Sequence, residues 1–79
     1  MRSKQRLGKA LHISSSSGNL ILKAERSVKI GDVVVDGRGN KIGSVFDLFG
    51  PVSAPFVAVK PRVESPGKYV GEPLFVGRS

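Results

Sequence analysis

Cysteine is missing from this sequence, and histidine occurs once, at His12. Without thiolates and with a single imidazole the usual structural zinc sites cannot be built, and no disulfide can brace the fold. The core is therefore expected to be purely apolar. The 79 residues provide for one domain with a modest core, a size at which a binding partner adds usefully to stability. No apolar run approaches the roughly 18 residues of a membrane span, and no hydrophobic region of signal-peptide type follows the N-terminus. The expectation is a soluble intracellular protein with no membrane attachment.

Acidic residues are also scarce, with six Asp and Glu against thirteen Lys and Arg, for a formal charge of +7. Such an excess favours a polyanionic environment, with nucleic acid the natural candidate, through long-range attraction and counterion release. Aromatic residues are few, four Phe and one Tyr. Single-strand binders interleave aromatic platforms with cations, and here that pattern is confined to Phe56 and Lys60, so direct base reading is not expected. Lys9, Lys23, Arg26, Lys29, Arg38, Lys41, Arg62 and Lys68 form at most a diffuse basic field. A merely solvated surface accounts for each of them equally well. They line no amphipathic helix of the membrane-surface type.

Long helical stretches are lacking too. Ten glycines and five prolines divide the chain, and the longest stretch free of both, Asn19 to Ile30, has no helical apolar face. What remains is a series of short runs rich in Val, Ile, Leu and Phe, each bounded by turn formers. Six strands are predicted. Gly8 to Ser14 is followed, through the polar turn at Ser15 to Asn19, by Leu20 to Ala24; on the first strand Leu11 and Ile13 share one face and His12 takes the other. A charged connection leads to Val33 to Val35, which the Asp36-Gly37-Arg38-Gly39-Asn40 turn joins to Lys41 to Phe49. Gly50-Pro51 ends that strand, Phe56 to Lys60 is the fifth, and a loop with Pro61, Pro66 and Gly67 leads to Leu74 to Val76. The predicted architecture is all-β, a small six-stranded antiparallel β-barrel, since closure removes edges that invite aggregation. Residues 1–6 read as a flexible basic tail and 7–79 as the barrel domain.

Residues able to carry chemistry are explained by simpler roles. Asp32, Asp36 and Asp47 are the candidate acids, bases or metal ligands, but Asp32 and Asp36 stand where turns use Asp to bond the backbone. His12 lacks an identifiable partner. Gly37-Arg38-Gly39 is not followed by the Lys-Ser/Thr and helix of a phosphate-binding loop, and Ser14 to Ser17 have no base to activate a nucleophile. The expectation is a non-enzyme without metal or cofactor.

The fourth predicted strand is the informative one. Counting alternately, Ser44, Phe46 and Leu48 lie on one face and Gly43, Val45, Asp47 and Phe49 on the other, so both faces carry large apolar groups. A small barrel needs one. The surplus reads as burial under a loop, as an exposed patch for another protein, or as aromatics that fill a small core with a bulge shifting the alternation, the interface being the favoured reading.

Three segments carry a family likeness: Ile30-Gly31-Asp32-Val33-Val34, then Lys41-Ile42-Gly43-Ser44-Val45-Phe46-Asp47-Leu48-Phe49-Gly50-Pro51-Val52, then Pro55-Phe56-Val57-Ala58-Val59-Lys60-Pro61. Together they resemble the glycine-arginine-rich protein subunit of H/ACA ribonucleoproteins in its archaeal form, over about Leu7 to Gly77. Eukaryotic members carry long glycine-arginine-rich extensions, whereas this chain has isolated Arg38-Gly39 and Gly77-Arg78, a departure that points to an archaeal-type core. The resemblance implies a six-stranded barrel in the cytoplasm of an archaeal cell. It would bind the pseudouridine synthase catalytic subunit, meet guide and substrate RNA mostly indirectly, and aid loading and release of substrate RNA. By motif position it places Val45, Phe46, Phe49, Gly50, Pro51, Val52, Pro55 and Phe56 at the protein interface, the aromatics as buried anchors. The alternative is a free-standing RNA-binding β-barrel of translation or ribosome maturation.

Overall fold

The computed structural model describes residues 4–77. Its six strands are β1 Lys4–Ile13, β2 Leu20–Lys23, β3 Val33–Val35, β4 Lys41–Phe49, β5 Phe56–Pro61 and β6 Pro73–Gly77. They close into an antiparallel barrel in the order β1-β2-β5-β4-β3-β6. The predicted class is thus observed, along with all six strands. A single 3-10 turn, Pro66–Tyr69, interrupts the loop before β6.

Alternation decides what fills the barrel. Leu20 and Leu22 of β2 face Val59 and Val57 of β5 in register, and Val45 of β4 faces Val59 from the other side. With Leu7, Ala10, Val34, Ile42, Leu74 and Val76 they form one aliphatic core, each strand contributing. Among the described residues none of those buried in this core is aromatic, and the partly buried Tyr69 packs against it. At Gly43 the backbone of β5 comes so close that an added Cβ would collide with the carbonyl of Lys60, so the β4–β5 contact here requires glycine.

The two predicted hairpins hold. The Ser14 N–H donates to the Asn19 carbonyl (2.9 Å) and the Gly18 N–H to the Ser14 carbonyl (2.8 Å). Asp36 and Asn40 close the second turn, the Asp36 N–H donating to the Asn40 carbonyl at 2.9 Å.

The N-terminal expectation needs correction. Met1 to Ser3 lie outside the described residues, but Lys4, Gln5 and Arg6 are part of β1, opposite Gly77, Val76 and Phe75 of β6. The segment looked aperiodic because β1 carries two bulges, between Arg6 and Gly8 and between Ala10 and His12. Each inserts one residue and reverses the alternation. Leu7 and Ala10 consequently both reach the core, while Leu11 is exposed.

Candidate functional site

The distal half of β4 and the start of β5 stand out by their exposed apolar side chains. A bulge between Val45 and Asp47 makes Phe46 the extra residue, and beyond it Asp47, Leu48 and Phe49 pair with Ala58, Val57 and Phe56. Phe46 is 55% exposed, Phe49 44% and Val52, at the hairpin tip, 99%. The expected bulge is present, but the aromatics beside it are exposed and do not fill the core, so the surplus apolar residues form an exposed patch. Leu48, which the motif-based interface left out, is also exposed at the barrel rim. Its outward-lying neighbours on a strand longer than β3 were the available signal.

Local chemistry fixes this surface. The rings of Phe49 and Phe56 stack across the strand pair with centroids 5.7 Å apart. Gly50 adopts φ +91°, a left-handed conformation suited to glycine, and an added Cβ would lie 2.9 Å from the Phe56 ring. Pro51 follows, exposed, and its carbonyl accepts from the Ala54 N–H at 3.1 Å. Pro55 is half-buried and its carbonyl accepts from the Ala24 N–H at 2.9 Å, tying the hairpin to β2.

Of the eight residues assigned to the interface, Phe46, Phe49, Gly50, Pro51, Val52, Pro55 and Phe56 are gathered on this hairpin with at least part of their surface accessible. Val45 is not among them. It is 2% exposed, its side chain belongs to the core, and its main chain is bonded to Gly31 and Asp32 (2.8 Å each). It lies on the near side of the bulge, where alternation still points inward.

A second site, this one polar, lies at the other end of β4. Asp36, Arg38, Asn40, Lys68, Tyr69 and Glu72 line a groove of about 490 Å³. The Asp36 carboxylate accepts from the Arg38 and Asn40 N–H groups (2.9 Å each) and from the Tyr69 hydroxyl (3.3 Å). Partial burial pushes the Asp36 carboxyl upward, but bonds from the Asn40 and Arg38 amides and the Asn40 and Tyr69 side chains outweigh it and hold the carboxyl below its ordinary value. Tyr69 is raised by burial and by the charge and hydrogen bond of Asp36, with Arg38 opposing. This is turn chemistry joined to a brace between loops. Asp32 likewise accepts from the Lys29 N–H at 2.9 Å.

His12 is exposed on β1 opposite Ile21, and Ser14, Ser16 and Ser17 bond one another and their own turn. Among the described residues no three His, Asp or Glu side chains group to hold a metal ion. Their ion pair is Arg6 with Glu25 at 3.0 Å. No helix among them is long and apolar enough to cross a membrane.

No protein-family model matches the chain. It is 39% identical over 75 residues to an uncharacterized protein of Methanothermobacter thermautotrophicus, covering 90% of this chain and 80% of that one. It is 46% identical over 44 residues to an uncharacterized protein of Methanocaldococcus jannaschii, a match spanning 56% of this chain and about half, 53%, of that protein.

Proposed function

We propose that this chain, which belongs to the same family as the uncharacterized Methanothermobacter thermautotrophicus protein, is a non-catalytic accessory subunit of an H/ACA ribonucleoprotein. It binds the pseudouridine synthase catalytic subunit and aids loading and release of substrate RNA in guide-directed rRNA pseudouridylation. The observation that carries this reading is the exposed apolar set Phe46, Phe49 and Val52, built on a hairpin whose turn is set by Gly50-Pro51. An apolar cluster with aromatic anchors suits a protein partner. The segment that builds it is also the one whose sequence resembles the glycine-arginine-rich subunit, and the archaeal relatives agree with an archaeal-type core.

On this reading the subunit acts from outside the reaction. By holding a mobile loop of the synthase in one of two positions it changes turnover without touching the reacting uridine. Its charge of +7 keeps it compatible with nearby RNA while contact with guide and substrate stays mostly indirect.

Gel filtration of the chain with an archaeal synthase subunit, in the absence of RNA, tests the reading. Co-elution is expected, together with multiple-turnover rates that differ with and without the chain. Separate elution, or coinciding rates, counts against it. The free-standing RNA-binding barrel draws on the same charge and instead predicts salt-sensitive RNA binding by the isolated chain.

A further inference from the structure

Strand β4 outruns its neighbour. β3 is in register with Lys41, Gly43 and Ser44, and the segment before it reaches Val45 through the Gly31 N–H and the Asp32 carbonyl. From Phe46 to Phe49 no described strand lies on that side, while β5 occupies the other.

Hydrogen-bond alternation identifies the groups that face the gap. The Ala24 N–H donates to the Pro55 carbonyl, so two and four residues on, Leu22 with Val57 and Leu20 with Val59 are the hydrogen-bonded pairs of β2 and β5. Phe56 and Ala58 therefore turn their main-chain groups to β4, meeting Phe49 and the bulge at Phe46 and Asp47. Leu48, between them, turns its N–H and carbonyl to the open side. There its N–H donates to the Asp47 carboxylate at 2.8 Å. A strand edge stopped by its own charged side chain is guarded against indiscriminate pairing.

We propose that this edge accepts an extended segment of the partner protein as one more strand. A partner carbonyl replaces the Asp47 carboxylate at the Leu48 N–H, and a partner amide donates to the Leu48 carbonyl. The inference rests on the reading that the partner is a protein docking on the β4–β5 hairpin, and it names the contact that orients it. A peptide main chain offers one donor and one acceptor at the required spacing, which a phosphodiester backbone does not. The exposed Phe46, Phe49 and Val52 beside the edge supply the apolar contacts that such a strand's side chains need.

Amide hydrogen exchange of the full ¹⁵N-labelled chain, free and bound to the intact synthase subunit, tests the proposal. Leu48 exchange is expected to slow at least tenfold in the complex. In Asp47→Ala, Leu48 exchange in the free chain is expected to speed up, and affinity for the synthase to hold or rise because the competing carboxylate is gone. A complex in which the Phe46 and Phe49 signals shift but Leu48 exchange does not would overturn the added strand and leave the accessory-subunit reading standing. Absence of any complex would overturn both. Leu48 protection that grows with chain concentration alone, or with RNA alone, would give the edge to a second copy or to nucleic acid and refute the proposal.

Discussion

The stacked rings of Phe49 and Phe56, 21° from parallel, meet Gly50 at a point where any side chain would strike the Phe56 ring. Turn conformation and aromatic surface are thus one construction: the left-handed glycine lets the chain reverse directly over the ring pair.

Phe49→Ala removes half of that pair. Because Phe49 is half exposed, the loss of folding stability is expected to be about 1 kcal/mol. Affinity for the synthase is expected to fall at least tenfold, as for an aromatic anchor. Urea unfolding and titration calorimetry on the same variant separate the two. Large destabilisation with undiminished affinity would make the ring pair a structural feature alone.

Gly50→Ala and Gly39→Ala form a matched test. Both glycines have positive φ, +91° and +87°, but Gly39 has nothing within 4 Å of an added Cβ, whereas Gly50 has the Phe56 ring at 2.9 Å. Each is expected to lose about 1–2 kcal/mol for the left-handed backbone, and Gly50→Ala more for the displaced ring. Equal unfolding midpoints would mean that the Phe56 ring moves aside without cost.

Val45→Ala and Phe46→Ala separate core from surface across the bulge. Truncating buried Val45 is expected to cost about 2 kcal/mol of stability, and its effect on binding should vanish once the folded fraction is corrected for. Phe46→Ala is expected to change stability by less than about 1 kcal/mol and to weaken association. Exchanged outcomes would put the bulge one residue away.

Stability against pH reports the Asp36–Tyr69 brace from both sides. The folded-state carboxyl of Asp36 lies below its ordinary value, so its contribution is present above the unfolded value of about 3.9 and is lost as pH falls through the folded one. The folded-state hydroxyl of Tyr69 lies above its ordinary value, so its contribution is present below about 10 and is lost as pH rises towards the folded value. Asp36→Asn should flatten the acid limb of the urea midpoint and Tyr69→Phe the alkaline limb. Tyr69→Phe should also cost about 1 kcal/mol at neutral pH. Unaltered limbs would show that the bond at 3.3 Å does not persist in solution.

Much of this fold was legible because its punctuation is chemical. Asp36 to Asn40 reads as a turn from residue types that bond their own backbone, and the alternation of Leu20 with Leu22 and Val57 with Val59 gives two core strands directly. Bulges are less legible, since the extra residue belongs to no periodic pattern. Those in β1 hid the strand that begins at Lys4, whereas Val45 was placed at the interface by motif position alone and its side chain fills the core. The aromatic hairpin was located from its motif. The open edge at Leu48 was not, because which main-chain groups face it depends on the bulge at Phe46 and on the register with β5.

Lys4 and Gly77 face each other across β1 and β6, which makes that pair the seam of a cylinder. The cylinder has no need of the seam at that place. A chain permuted by a short linker between those strands and cut at the exposed Arg38–Gly39 bond is expected to keep the same strand order around the wall, because neighbours in the barrel are set by pairing and not by their order along the chain.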